Sequence, residues 1–193
     1  MLPSNAKGVV LSHTVYLDTE FTNLASPKLL SLGLVNAVGD EHYAELDLES
    51  PEGRGALKHA SDFVRNGGVL EQWGLVPDAT MSRTQMGVST ANWLIGQAAR
   101  AGGRVIVAYD YKADFDLLRE LLQDTPQWPI VASLIEPQDV DTLTTTFESS
   151  LGADYVHQVI RAKRGLQRHH ALADAHALRG ACVTAMTGKR VSL

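Results

Sequence analysis

The chain has 193 residues, of which 45 % are hydrophobic, and a formal net charge of −5. That length suits one sizeable core, and that apolar fraction excludes a mostly disordered chain, so a single domain over residues 1–193 is expected. The longest apolar runs, such as 105–108 and 15–17, are too short to span a bilayer. Met1 to Val10 lacks the long apolar core of a signal peptide, and the single Cys182 allows no internal disulfide. The expected setting is therefore a reducing cytoplasm, with no membrane partner.

In chain order, His13 to Phe21 reads as a strand and Leu29 to Val38 as a second. Gly39-Asp40 turns the chain into a third strand, His42 to Leu48. Ser50 to Met86 mixes Gly, Pro and Asp with isolated apolar residues. It reads as a surface excursion with short helices near 60–66 and 70–73. Ser89 is the expected cap of a helix over Thr90 to Ala101, ended by Gly102-Gly103. A fourth strand, Arg104 to Tyr109, leads to a helix over Lys112 to Gln123 that buries Leu117, Leu118, Leu121 and Leu122. A fifth strand is expected at Ile130 to Leu134, then a helix from Asp139 or Asp141 to Leu151 with Gly152 as its stop. The loop Gly165 to Arg168 precedes a last helix from His170 to Met186. The fold class is α/β: a mixed five-stranded sheet, first a three-strand meander and then crossover units, flanked by helices.

On the first strand Asp18 and Glu20 project from one face, because strand side chains alternate. Side-by-side carboxylates repel, and in a partly buried place that repulsion raises a pKa or demands a cation; hard divalent ions prefer such oxygen ligands. Ligands of such sheets bind at the carboxyl ends of the strands. There the fourth strand runs into Tyr109-Asp110-Tyr111-Lys112-Ala113-Asp114-Phe115-Asp116, and the last helix opens with His169-His170-Ala171-Leu172-Ala173-Asp174. Asp110 shares a helix face with Asp114, whereas Asp116 falls about 200° round from it. Helical periodicity alone pairs His170 with Asp174. Arg161, Lys163, Arg164 and Arg168 crowd just before His169, a basic run that either grips a nucleic-acid backbone or forms a solvated face. Cys182 reads as a buried small hydrophobe and His176 as a helix-surface residue, while His13, His42, His59 and His157 have no visible partner.

Asp18-Thr19-Glu20, the segment Val107 to Asp114, and His169 followed by Asp174 together resemble the three motifs of the DEDDh 3′–5′ exonucleases. That superfamily includes ribonuclease T, oligoribonuclease and the proofreading subunit of bacterial DNA polymerase. Asp18-Thr19-Glu20-Phe21 also resembles a smaller ribonuclease-T-like branch. The resemblance spans Asp18 to Asp174. It implies a ribonuclease-H-like fold and two divalent cations, Mg²⁺ or Mn²⁺, on Asp18, Glu20, Asp114 and Asp174. His169 is the implied general base. The implied partners are 3′ ends of single-stranded RNA or DNA, RNA slightly favoured, and a second copy of the chain in a homodimer. Tyr109-Asp110 stands where family members carry His-Asn, and counting forward from it selects Asp114 over Asp110 and Asp116; the family spacing selects His169 over His170. Phe21, Tyr109 or Tyr111 would stack on a terminal base, and Arg164 and Arg168 would hold the backbone.

Overall fold

The computed structural model describes residues 13–191; the signal-peptide reading of Met1 to Val10 lies outside them. β1 (Thr14–Phe21), β2 (Leu29–Asn36) and β3 (Glu41–Leu46) form an antiparallel meander. The turn after β2 is built by one side chain: Asn36 Oδ1 accepts the backbone N–H groups of Val38, Gly39 and Asp40, which ends the strand at Asn36. β5 (Val105–Tyr109) pairs parallel with β1, and β6 (Ile135–Asp139) pairs parallel with β5.

The sheet has six strands, ordered β4-β3-β2-β1-β5-β6, rather than five. The extra one, β4 (Thr80–Met81), adds parallel to the edge of β3 from within the expected surface excursion. That excursion also carries the helices α1 (Pro51–Leu57) and α2 (Asp62–Asn66) and a 3₁₀ turn at Leu70–Gln72.

Three further boundaries move. Ile130 to Leu134 is not the fifth strand: it belongs to a helix, α5 (Trp128–Leu134), with Pro129 in its first turn, where a missing N–H costs nothing. The strand that follows contains Pro137 and sits at the sheet edge, where proline is tolerated. The helix expected from Thr90 begins earlier, as α3 (Arg83–Arg100), because Ser82 and Gln85 form a reciprocal capping box. The helix expected to stop at Gly152 is two helices, α6 (Asp141–Thr144) and α7 (Phe147–Arg164). Gly152 lies inside α7, where a Cβ would stand 2.4 Å from the carbonyl oxygen of Gly180 on α8 (Ala171–Thr187). It is a helix-crossing residue rather than a stop.

The alternation of β1 divides the interior. Val15 and Leu17 enter the larger apolar cluster with α3 and α4 (Lys112–Gln123), while Tyr16 packs with Leu178 and Cys182 of α8, so Cys182 is buried as expected. His176 is buried, not a surface residue: its Nε2 meets the Glu41 carboxylate at 2.8 Å. Among the described residues no helix is long and apolar enough to cross a membrane.

α8 sits on the sheet at Gly33, where a Cβ would stand 2.3 Å from the Ala171 carbonyl oxygen and 2.6 Å from Leu172 Cα. Gly33→Ala should therefore lift this helix end and cost about 1–3 kcal/mol in chemical denaturation.

Candidate metal centre and cleft

Asp18 and Glu20 leave β1 on its α8 side, and Asp18 lies in register with Gly33 of β2. Because Gly33 has no side chain, the start of α8 comes down beside that position and brings Asp174, in its first turn, towards Asp18. Thr19 points through the sheet the other way, and its hydroxyl donates to Asp114 Oδ1 at 2.6 Å. Asp114 is thus fastened in the first turn of α4 at the end of β1.

Asp174 is held on both oxygens. Oδ2 accepts the backbone N–H of His169 at 2.8 Å, and Oδ1 lies 3.3 Å from His157 Nε2. Ligand atoms of Glu20, His169 and Asp174 all fall within 4.8 Å of one another. A cleft of about 450 Å³ is lined by Asp18, Asp110, His157, His169 and Asp174.

Crowding raises every proton affinity in the cluster. Burial, then the charges of Asp174, Asp114, Glu20 and Asp110, lift Asp18 well above the usual carboxylate range. Burial, then Asp174 and Asp114, pushes Glu20 up to about 8. Burial pushes Asp114 to about 7 against the opposing hydrogen bond from Thr19, and Asp174 to about 7 against the His169 N–H and Arg168. Four carboxyls that resist ionising together are a donor set matched to hard cations, which would supply the missing positive charge. Among the described residues the group that could hold a metal ion is Glu20, His169 and Asp174, while Asp18 and Asp114 stand near enough for their charges to act on one another.

The structure separates the alternatives that spacing leaves open. Asp116 faces away, paired with Lys112 and with Arg119 at 3.1 Å. Asp110, just past the end of β5, lines the cleft with Asp18, Asp154 and Asp174, whereas Glu20 and Asp114 do not line it. His169 is exposed at the cleft, in a left-handed backbone conformation (φ 65°), its ring edge-on to Phe63 at 4.9 Å. Partial burial and the Arg168 charge hold its imidazole below the usual value. His170 turns inward instead: it caps α8, Nδ1 accepting from the Leu172 N–H at 3.3 Å, and stacks on Tyr43 at 4.6 Å.

The expected substrate contacts fare unevenly. Arg168 lines the cleft, ion-paired with Asp154. Arg164 does not: it grips Glu41 at 2.8 and 2.9 Å on the other side of α7. Phe21 lies past a register shift at the end of β1 and stacks on Tyr111 at 6.1 Å, while Tyr109 stacks on Phe115 at 5.4 Å; neither lines the cleft.

Three residues that matter here carry no local signal. His157 reaches Asp174 only because α7 crosses α8 closely at Gly152 and Gly180. Phe63, from α2, meets His169. Gln72 is buried and pins the loop before His169: its amide nitrogen donates to the Arg168 carbonyl at 2.9 Å, and its oxygen accepts the Gln167 N–H at 2.6 Å.

No protein-family model matches the chain, and no curated protein matches it.

Gln72→Leu should speed amide exchange across 165–170 without unfolding the sheet, readable by hydrogen-exchange mass spectrometry. The carboxyls bind protons more tightly folded than unfolded, so they stabilise the metal-free protein below their unfolded pKa values near 4, and this is lost as pH rises through about 7 to 8. In EDTA the melting temperature should fall from about pH 4.5 to 8. Asp18→Asn should flatten the fall, and Mn²⁺ should reverse it at the alkaline end.

Proposed function

We propose that this chain is a metal-dependent 3′–5′ exonuclease of the DEDDh type, with a ribonuclease-H-like fold, that shortens single-stranded nucleic acid, RNA in preference to DNA. The observation that supports the reading is the grouping of Glu20, His169 and Asp174, whose ligand atoms fall within 4.8 Å of one another, beside a cleft lined by Asp18 and Asp174, with Asp114 near enough for its charge to act on Asp18 and Glu20. The meander followed by parallel crossovers supports the fold assignment.

In this reading the four carboxylates hold two divalent ions, Mg²⁺ or Mn²⁺. When bound, the ions supply Lewis-acid stabilisation of the charge that develops on the phosphate oxygens. The chain's own residues do the rest. Thr19 fixes the rotamer of Asp114, and the His169 N–H with His157 fixes that of Asp174, so the carboxylates are oriented before substrate arrives. His169 Nε2 or Nδ1, whose proton affinity burial and Arg168 lower, accepts a proton from the water that attacks the terminal phosphodiester phosphorus. The P–O3′ bond breaks, the upstream 3′ oxygen takes up a proton, and a nucleoside 5′-monophosphate leaves.

The test is a denaturing gel of 5′-labelled single-stranded RNA and DNA with Mg²⁺, Mn²⁺ or EDTA. Wild type should give a ladder shortening from the 3′ end only with metal, and Asp18→Ala none. His169→Ala should lose on the order of 10²–10⁴ in rate while His170→Ala, if folded, keeps its chemistry. Intact substrate in every wild-type lane would replace the enzyme with a non-catalytic nucleic-acid-binding or interaction module. Full activity in His169→Ala would remove His169 as base.

A further inference from the structure

The cleft continues past the carboxylates. Beyond His157 and His169 a second cavity of about 530 Å³ runs between α7 and the segment from Gly67 to Gln72. Asp154, His157, Arg168 and His169 line both cavities, so the two make one groove. Its ends differ. One end carries the carboxylates Asp18, Asp110 and Asp174, whereas the far end is bordered by exposed Gly67, Glu71 and Arg161.

The basic run ahead of His169 splits between two faces. Lys163 and Arg164 line a separate cavity with Glu41 and His176, while Arg161 and Arg168 face the groove. Arg168 is neutralised by Asp154 at the junction of the two cavities. Arg161 forms no ion pair among the described residues. Opposite it Gly68 presents bare backbone, with no atom within 4 Å of where a Cβ would stand. Gln158 and Gln167 complete the lining with neutral amides, which offer hydrogen bonds without demanding one base.

We propose that this second cavity is the track for the single strand upstream of the scissile phosphate, with Arg161 as the residue that grips a backbone phosphate in it. The proposal rests on the exonuclease reading above. The strand upstream of the cut has to leave the carboxylate cavity, and the second cavity, which shares Asp154, His157, Arg168 and His169 with it, leads away from the carboxylates to Arg161. An arginine fork suits a phosphate, and Glu71 on the opposite rim holds that phosphate to the α7 side.

A dinucleotide without a 5′ phosphate carries only the scissile phosphodiester and does not reach Arg161; a hexanucleotide does. The experiment compares kcat and KM on these two substrates, over a range of salt, for wild type, Arg161→Glu and Arg119→Ala, an exposed charge loss on the far layer. With the hexanucleotide, Arg161→Glu should raise KM on the order of tenfold and flatten the logarithmic salt slope by about 0.7. It should leave the dinucleotide unchanged, and Arg119→Ala should match wild type on both. Wild-type behaviour of Arg161→Glu on the hexanucleotide, or an equal loss on both substrates, overturns the track and leaves the exonuclease reading standing. Failure of wild type to cleave either substrate overturns the exonuclease reading and the track with it.

Discussion

The seat of α8 on Gly33 is the contact on which the site depends. With no side chain opposite Asp18, the backbone of Ala171 and Leu172 reaches the sheet, and Asp174 arrives in the same layer as Asp18 and Glu20. The chain entering that helix has to turn sharply, which it does by placing His169 in the left-handed region, an arrangement that costs energy for a residue with a Cβ. The turn sends neighbouring histidines in opposite directions. His169 faces the cleft, and His170 becomes a buried cap stacked on Tyr43.

Around that seat the protein keeps an arrangement that opposes its own stability. Buried carboxylates with no cation repel each other and lose hydration, and their raised proton affinities are the measure of that conflict. The surroundings relieve it only in part: Thr19 donates to Asp114, and the His169 N–H and His157 engage Asp174. Each of these contacts also fixes a carboxylate's direction, so the features that limit the strain orient the same oxygens that the proposed function assigns to a metal. The Glu41 carboxylate shows the contrast. Held by His176 and Arg164, it is pulled down to about 2 and serves as a structural anchor between β3, α7 and α8.

Much of this was legible in the chain because it is local. The period of two on β1 puts Asp18 and Glu20 on one face whatever surrounds them, and the leucine spacing of α4 identifies its buried face. Errors arose where a local signal was ambiguous or satisfied by distant atoms. The apolar Ile130-Val131 run fits helix or strand, and only the hydrogen-bonding edge of β5 selects residues 135–139 for the ladder. Gly152 resembles a helix stop until Gly180 is seen against it. The capping pair Ser82 and Gln85 was a readable signal that lay outside the helix expected from Thr90.

What the sequence by itself determined was the opening three-strand meander, the α/β class, the paired carboxylates of β1 and the carboxylate-bearing starts of two later helices. The tertiary structure alone decided that Asp114 is tied to Thr19 while Asp116 points to solvent, that the His169 backbone N–H and the His157 ring rather than the His170 ring meet the Asp174 carboxylate, and that Arg164 and Arg168 part company across α7. The physical reason is range. Side-chain direction within one strand or helix follows from backbone geometry over a few residues, whereas which side chains share a cleft depends on how closely distant backbones approach, and here that approach is set by glycines whose partners lie far along the chain.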